Sequence, residues 1–104
     1  MTYRLIYVTA SNLEEAKSIG QKLVEERLVA CVNILPHMTS IYRWQGKLEE
    51  AEEVVMIMKT TEQLVERTIV RAKQLHSYEC PCIVAVPIVA GDPDFLAWIS
   101  RETG

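Results

Sequence analysis

The hydrophobic pattern is strongest over residues 29–60, where it predicts two long β-strands folded into a hairpin. β-branched and aromatic residues flank Gln45-Gly46 on both sides, and Gly46 supplies the positive φ that a tight turn needs. A two-residue loop fixes three cross-strand pairs: Trp44 with Lys47, Tyr42 with Glu49, and His37 with Val54. Each arm is then about 14 residues and ~46 Å long, whereas a compact domain of this length is about 33 Å across. The hairpin tip should therefore project from its own domain.

The first arm of this hairpin carries the signs of an exposed edge. Pro36 has no amide hydrogen to donate, so this arm should be an edge strand that is bent or broken at the proline. Its free edge would be open to pairing with another chain. The tip also carries apolar side chains that would leave a lone two-stranded ribbon marginally stable in water: Ile41, Tyr42, Trp44 and Leu48. Both features predict an oligomer.

Two segments with a 3.6-residue period predict helices. The first covers about residues 12–27, with Ser11 as its N-cap and Glu14 closing a capping box. The second follows Thr60, which would act as its cap, and ends near His76. Residues 3–10 and 82–89 are apolar on both faces and predict strands, the first central and the second at an edge or bulge because of Pro87. After a turn at residues 91–93, Asp94 can cap a short helix or begin a strand-like tail.

The order of these elements, βαββαβ, predicts an α+β fold of the ferredoxin-like type. In this sandwich an antiparallel sheet carries two helices on one face, here with an unusually long hairpin between the second and third strands. The other face of such a sheet normally meets water and shows alternating polarity, yet three of the predicted strands are apolar on both faces. That face should therefore be covered, most economically by other copies of the same sheet. The apolar second face of the sheet thus also predicts a homo-oligomer, independently of the hairpin.

Composition and charge narrow the class of protein. The chain has 104 residues, of which 49% are apolar, and this favours one domain over residues 1–104 with an adequate core. A formal charge of −3 and a pI near 5.4 leave no basic stripe, so nucleic acid and anionic membrane surfaces are not expected as partners. The N-terminus lacks a signal-like apolar segment, which favours a cytoplasmic protein. The odd number of cysteines, 3, indicates reduced thiols.

Metal ligation is the first chemistry to consider. His76, Cys80 and Cys82 form an H-x3-C-x-C array of donors that suit Cu(I) or zinc. The spacing is not that of a zinc finger, and packing or incidental thiols are the favoured alternative. Cys31 lies between Ala30 and Val32, where a small buried hydrophobic residue is its simpler interpretation.

The remaining polar residues leave two alternatives open. Glu49, Glu50, Glu52 and Glu53 are interpreted as a solvated strand face, and His37 as a solvated or interface histidine. Four polar groups on otherwise apolar elements could line a pocket or form ion pairs at its rim: Tyr42, Arg43, Lys59 and Glu79. The sequence has no glycine-rich phosphate loop, no G-x-S-x-G and no Ser/His/Asp order that supports a classical enzyme, and no organic cofactor is expected.

Several motifs together resemble the CutA divalent-cation-tolerance family. They are A-C-V-N at 30–33, S-I-Y-R-W-Q-G-K at 40–47, E-E at 52–53, K-T at 59–60, Y-E-x-P at 78–81 and W-I at 98–99. The resemblance implies a ferredoxin-like homotrimer joined through its sheet edges, a link to tolerance of copper and other divalent cations, and a likeness to the nitrogen-regulatory PII proteins. It implies no known reaction.

The resemblance also matches individual residues of this sequence to positions in the family's motifs. Cys31 is the cysteine of the A-C-V-N motif, and Tyr42, Trp44 and Lys59 match polar or aromatic positions near the subunit clefts. His76, Tyr78 and Glu79 lie in the loop before the last main strand. The chain departs from the family where P-E-I is usual, since it has Pro81-Cys82-Ile83. The loss of a carboxylate and the gain of a thiol shift the loop towards softer metals.

Three functions follow as hypotheses. The leading one is a non-enzymatic homotrimer that binds copper, another divalent cation or a small ligand at inter-subunit clefts and acts in metal tolerance. A PII-like sensor of a small anionic metabolite or nucleotide is the first alternative, with Lys59 and Arg43 as contacts. A structural assembly partner without any ligand is the second.

Overall fold

The computed structural model describes residues 2–104, which form four strands, three α-helices and one short 3-10 helix. In chain order they are β1 Tyr3–Ala10, α1 Leu13–Glu25, β2 Cys31–Trp44, β3 Lys47–Thr61, the 3-10 helix Glu62–Leu64, α2 Val65–Leu75, β4 Ile83–Ile88 and α3 Pro93–Glu102. This order confirms the α+β ferredoxin-like fold. It also settles the C-terminal segment as a helix, with Asp92 rather than Asp94 as its N-cap.

The strands form one antiparallel sheet in the order β2-β3-β1-β4. β1 is therefore central, as its two apolar faces predicted. β2 and β4 are the two edges, which are the positions predicted from Pro36 and Pro87 because a proline cannot donate to a strand ladder.

The hairpin formed by β2 and β3 has the predicted length and turn. Its strands contain 14 and 15 residues, and Gly46 at the turn has a φ of 79°. Trp44 pairs with Lys47 and Tyr42 pairs with Glu49, as expected. The described residues extend over 44 × 25 × 22 Å with a Cα radius of gyration of 14.1 Å. This elongation agrees with a hairpin that projects from the domain.

A β-bulge changes the register of the hairpin near its middle. The pairs on either side are Leu35 with Val55 and Met38 with Glu53. Pro36 and His37 therefore lie together opposite one residue, Val54, so the predicted register holds from the turn to Met38 and shifts by one residue beyond the bulge. The extra residue is accommodated where Pro36 has no amide hydrogen to offer, and His37 takes a left-handed φ of 65°.

Two predicted helix caps are also wrong. Asn12 caps α1 in place of Ser11, since its side chain accepts a hydrogen bond from the Glu15 amide at 2.8 Å. Thr60 remains within β3, because this strand pairs with β1 through Thr61. The buried Thr60 hydroxyl instead donates to the Leu28 carbonyl at 2.6 Å.

The core lies between the helices and one face of the sheet. Ile6 and Met56 from the central strands, and Ile19 and Leu23 from α1, are almost fully buried there. Side chains alternate along a strand, so the opposite face carries Leu5, Tyr7, Val55 and Ile57. We call this opposite surface the open sheet face.

Helix α3 covers one end of the open sheet face. Ser100 of this helix forms a 2.7 Å hydrogen bond with the hydroxyl of Tyr3, which alternation places on that face, and Ile99 is fully buried. Elsewhere the face exposes apolar side chains: Leu35 is 54% exposed and Val84 48%. The sequence prediction of a sheet that is apolar on both faces is confirmed.

Candidate functional site

The loop of residues 76–82 is held by His76 at the end of α2. The Nε2 atom of His76 donates to the Thr9 carbonyl oxygen at 2.7 Å, and its Nδ1 atom accepts from the Tyr78 amide at 3.0 Å. Since the ring is buried and both nitrogens have partners, the geometry indicates a neutral histidine protonated on Nε2. His76 positions the loop in this structure.

Glu15 ties the same loop to the start of α1. Its Oε2 atom accepts from the Ser77 amide at 2.8 Å, while Oε1 accepts from the Ser11 amide and hydroxyl at 3.0 and 2.9 Å. Partial burial opposes ionisation, but these hydrogen bonds outweigh it and lower the pKa of Glu15 to about 2. The loop is thus attached to both helices that flank it.

This anchoring brings Tyr78 to the open sheet face. Its hydroxyl donates to Oε2 of Glu53 at 2.7 Å, and the Glu53 side chain is only 7% exposed. Burial and the neighbouring Glu53 carboxylate both raise the pKa of Tyr78 far above its usual value of 10, so the phenol remains a neutral donor.

Glu53 is the site residue that the sequence prediction missed. It was assigned to a solvated acidic run, which is correct for the exposed Glu50 and Glu52 but wrong for Glu53. The available signal was its position two residues before Val55, because alternate residues of a strand share a face and Val55 belongs to the run from Val54 that is apolar on both faces.

The β-bulge decides which side chains of β2 join Glu53. Because Pro36 and His37 oppose a single residue, the alternation restarts and places Met38, Tyr42 and Trp44 on the open sheet face. The Tyr7 hydroxyl lies 3.6 Å from the Met38 sulfur, and Tyr42 adds to the raised pKa of Tyr78. Met38 therefore lies opposite the buried carboxylate, and Tyr42 and Trp44 follow it along the same face towards the hairpin tip.

The other predicted cleft residues are dispersed. Arg43 lies on the opposite face of the hairpin from its neighbours, since successive strand residues alternate. Lys59 is on the open sheet face but nearer its other end, where its amine donates to the Asn33 side chain. Glu79 is exposed in the loop. The structure thus places Tyr42 near Tyr78 and Trp44 further along the same face, while Arg43 lies on the opposite face.

The three cysteines occupy different surroundings. Cys80 and Cys82 are exposed in the loop, and Cys31 is half-buried in β2 opposite Lys59. Burial, together with the charge of Glu53, raises the pKa of the Cys82 thiol. Within residues 2–104, no three His, Cys, Asp or Glu side chains are grouped so that they could hold a metal ion. His76, Cys80 and Cys82 are accordingly not gathered into one cluster, and metal ligation by these residues and Cys31 stays a prediction.

The fold and the site together define a class of protein. It is a ferredoxin-like α+β domain with a projecting hairpin, a largely apolar open sheet face, and a buried carboxylate under a tyrosine at one end of that face. Residues 4–102 match the family model described as CutA1 divalent ion tolerance protein. The chain belongs to this family.

Relatives from distant organisms support the assignment. The divalent-cation tolerance protein CutA of Thermus thermophilus is 45% identical over 96% of this chain and 97% of its own length. Mouse protein CutA is 42% identical over 93% of this chain, which spans only 55% of the mouse protein. Among solved structures, the Thermus thermophilus protein has a TM-score of 0.95 at 44% identity, covering 98% of this chain and 99% of that one. Rice CutA1 has a TM-score of 0.97 at 35% identity, covering 100% and 95%.

The comparisons associate the family with more than one compartment. The Arabidopsis thaliana relative is named chloroplastic, and the Archaeoglobus fulgidus structure is described as a periplasmic divalent cation tolerance protein. In the described part of this chain, no helix has both the length and the apolar character needed to cross a membrane. A cytoplasmic location stays a prediction.

Proposed function

We propose that this chain acts in divalent-cation tolerance as a non-enzymatic homotrimer that binds a divalent cation, copper included, in clefts between its subunits. The observation that carries the proposal is the Glu53 carboxylate, which is nine-tenths buried on the open sheet face. Its hydrogen bond comes from the neutral Tyr78 phenol.

A buried carboxylate needs a positive charge nearby, because removing a charge from water is costly unless it is compensated. The ion pairs of arginine among residues 2–104 are Arg4–Glu62 and Arg71–Glu26, and His37 contacts Glu52, so none of these contacts includes Glu53. A cation from outside the chain would supply the missing charge. Oxygen from Glu53 and sulfur from Met38 or Cys82 are donors that suit copper.

The trimer is supported by surfaces that a single chain leaves exposed. The open sheet face exposes Leu35, Val84 and Val86, and both edge strands present unpaired backbone groups. When the edge of one copy pairs with the other edge of the next, the copies form a closed ring only at the right rotation, and the proposed ring contains three copies.

Equilibrium dialysis against Cu(II) tests the cation site. Replacing Glu53 by Gln should weaken binding by about tenfold or more, since it removes a charged ligand worth ~1.4 kcal/mol or more. The matched control is Glu52→Gln, one residue away on the exposed opposite face, which should bind like the wild type. Equal affinities for all three proteins would refute the role of Glu53, and a monomer in sedimentation equilibrium would refute the trimer.

A sensor of small anions is a second candidate, favoured by one observation. Lys59 places an amine on the open sheet face beside Asn33, where an anionic metabolite or nucleotide could be held. Arg43 cannot join it from the opposite face of the same hairpin. Dialysis against a nucleotide panel, with Lys59→Met as the variant, separates this candidate from the cation proposal. Binding of neither ligand class would favour a purely structural trimer.

A further inference from the structure

Helix α3 is held on the open sheet face by few side chains. Only Ile99 of its ten residues is buried, whereas α1 buries four residues and α2 two. Phe95 stacks on Trp98 with ring centroids 5.5 Å apart, yet it remains 44% exposed. A helix of this length is marginally stable by itself in water. A small number of polar contacts therefore decides how firmly α3 stays on the sheet.

Arg27 supplies polar contacts to α3 from a backbone conformation that favours glycine. Helix α1 ends in a Schellman motif, in which the Arg27 and Leu28 amides donate to carbonyls of the preceding turn, each at 3.0 Å. Arg27 has the left-handed φ of 60° that this motif needs. Glycine is the usual residue there because other residues are strained in that conformation. Strain of this kind is typical of positions where the side chain has a specific task.

The side chain of Arg27 joins the end of α1 to the end of α3. Its Nη2 atom donates to the Arg101 carbonyl at 2.7 Å and its Nε atom to the Gly104 carbonyl at 3.0 Å. The Arg27 carbonyl in turn accepts from the Gly104 amide at 2.9 Å. The last carbonyls of a helix have no partner within it, and a positive charge beside them is favourable. Both side-chain hydrogen bonds are exposed, so water can replace them when they break.

Helix α3 shields the end of the open sheet face, whereas α1 and α2 lie on the other face. Thr61 pairs with Tyr3 and shares its face, and it is only 5% exposed. Because α3 packs against β3 and its Ser100 contacts the Tyr3 hydroxyl, it separates this pair from solvent. Lys59 is the next residue of β3 on the same face. Movement of α3 away from the sheet would therefore expose Tyr3 and Thr61 and widen the access to Lys59.

We propose that α3 is a strap that opens and closes as a unit over this end of the open sheet face, with Arg27 as the latch that holds it closed. When the strap opens, Ile99 loses its burial and the exposed part of the open sheet face gains Tyr3 and Thr61. The latch thus sets how much of this face a partner or a ligand meets. The strap depends on neither the proposed cation site nor the proposed trimer.

Hydrogen–deuterium exchange followed by NMR at one protein concentration tests the strap. In the wild type, the amides of residues 96–102 should exchange together, with an opening free energy that is smaller and less dependent on urea than that of the β1 amides. Arg27→Gly keeps the left-handed backbone but removes the latch, so it should speed exchange in α3 by about tenfold. Gln45→Gly is the matched control, since it also places glycine at a left-handed residue, with a φ of 50°, but at the hairpin turn. Its α3 exchange should stay within about twofold of wild type.

Three results would overturn the proposal. If the α3 amides exchange with the same free energy and urea dependence as the β1 amides, α3 leaves the sheet only when the whole chain unfolds. Equal α3 exchange in wild type and Arg27→Gly would show that Arg27 is not the latch. Ser100→Ala removes the contact with Tyr3, and unchanged exchange in this variant too would show that polar contacts do not hold the strap. Glu53→Gln should exchange in α3 like the wild type while its cation binding is weakened, so the strap and the cation site are tested separately.

Discussion

At the scale of single residues, the hydrogen bond between Tyr78 and Glu53 makes two distant positions act as a pair. Glu53 lies within β3 on the open sheet face, and the loop that His76 and Glu15 hold in place positions the Tyr78 hydroxyl beside it. The phenol supplies the hydrogen bond that a buried carboxylate requires. Each member of this pair is therefore expected to affect stability as well as ligand binding.

The first prediction concerns the Tyr78 hydroxyl. Tyr78→Phe leaves Glu53 buried without its hydrogen-bond donor, which should lower the free energy of unfolding by about 1–3 kcal/mol. Urea denaturation measures the change. Tyr42→Phe is the control, since it removes a hydroxyl from a side chain that is 43% exposed and should change stability little. Equal effects of the two substitutions would contradict a special role for the buried pair.

The second prediction concerns Glu15 and pH. Its pKa of about 2 in the folded chain lies below the ordinary value of 4.5, so the unfolded chain takes up a proton more readily as the solution is acidified. The stabilisation by Glu15 is complete above about pH 4.5 and is lost as the pH falls towards about 2.

Glu15→Gln should remove this pH-dependent contribution, about 1–2 kcal/mol after allowance for solvent screening. Urea midpoints measured through the acid range for wild type and variant should converge at low pH. Glu14→Gln alters the exposed neighbouring carboxylate and should follow the wild-type curve. Parallel curves for wild type and Glu15→Gln would show that these hydrogen bonds add no stability.

At the scale of elements, the close approach of α1 to β2 depends on the absence of a side chain at Gly20. A Cβ atom at this position would lie 2.8 Å from a Val32 methyl carbon, closer than carbon atoms pack. The glycine thus costs helix propensity but allows the helix to lie directly on the sheet.

The third prediction follows from that contact. Gly20→Ala should destabilise the fold by about 1–3 kcal/mol through overpacking, even though alanine favours a helix by about 1 kcal/mol. Combining it with Val32→Ala should recover part of the loss, as thermal unfolding would show. Ser18→Ala on the exposed side of α1 is the control and should stabilise slightly. A stabilising Gly20→Ala would mean that β2 moves away without cost.

At the scale of the whole molecule, the projecting hairpin and the open sheet face leave apolar surface that association would bury. Trp44 is 42% exposed and Leu35 54% exposed in a single chain. Because of the bulge, Trp44 and Leu35 lie on the same face of the sheet. One partner surface could therefore cover both side chains.

The fourth prediction is that unfolding depends on protein concentration. The proposed trimer would dissociate on unfolding, so the melting temperature should rise as the chain becomes more concentrated. Trp44→Ala should lower the melting temperature at a given concentration, because it removes up to about 3–5 kcal/mol of stability if association fully buries the indole. Leu48→Ala, on the opposite face of the hairpin and 72% exposed, should have a smaller effect. A melting temperature independent of concentration would argue for a monomer.

The sequence by itself determined the order of elements, the hairpin turn at Gly46, and the edge positions of the strands that contain Pro36 and Pro87. These depend on local rules: side-chain periodicity, the φ that glycine permits and the amide hydrogen that proline lacks. The exposed Glu50 and Glu52 followed from the same alternation.

Only the tertiary structure decided the details of the site. The bulge at Pro36 and His37 restarted the alternation and so selected Tyr42 and Trp44, instead of Arg43, for the open sheet face. Glu53 became buried because Tyr78, 25 positions later in the chain, folds back over it. Contacts between distant segments depend on how whole elements pack together, so alternation along β3 could indicate the face of Glu53 but not its partner Tyr78.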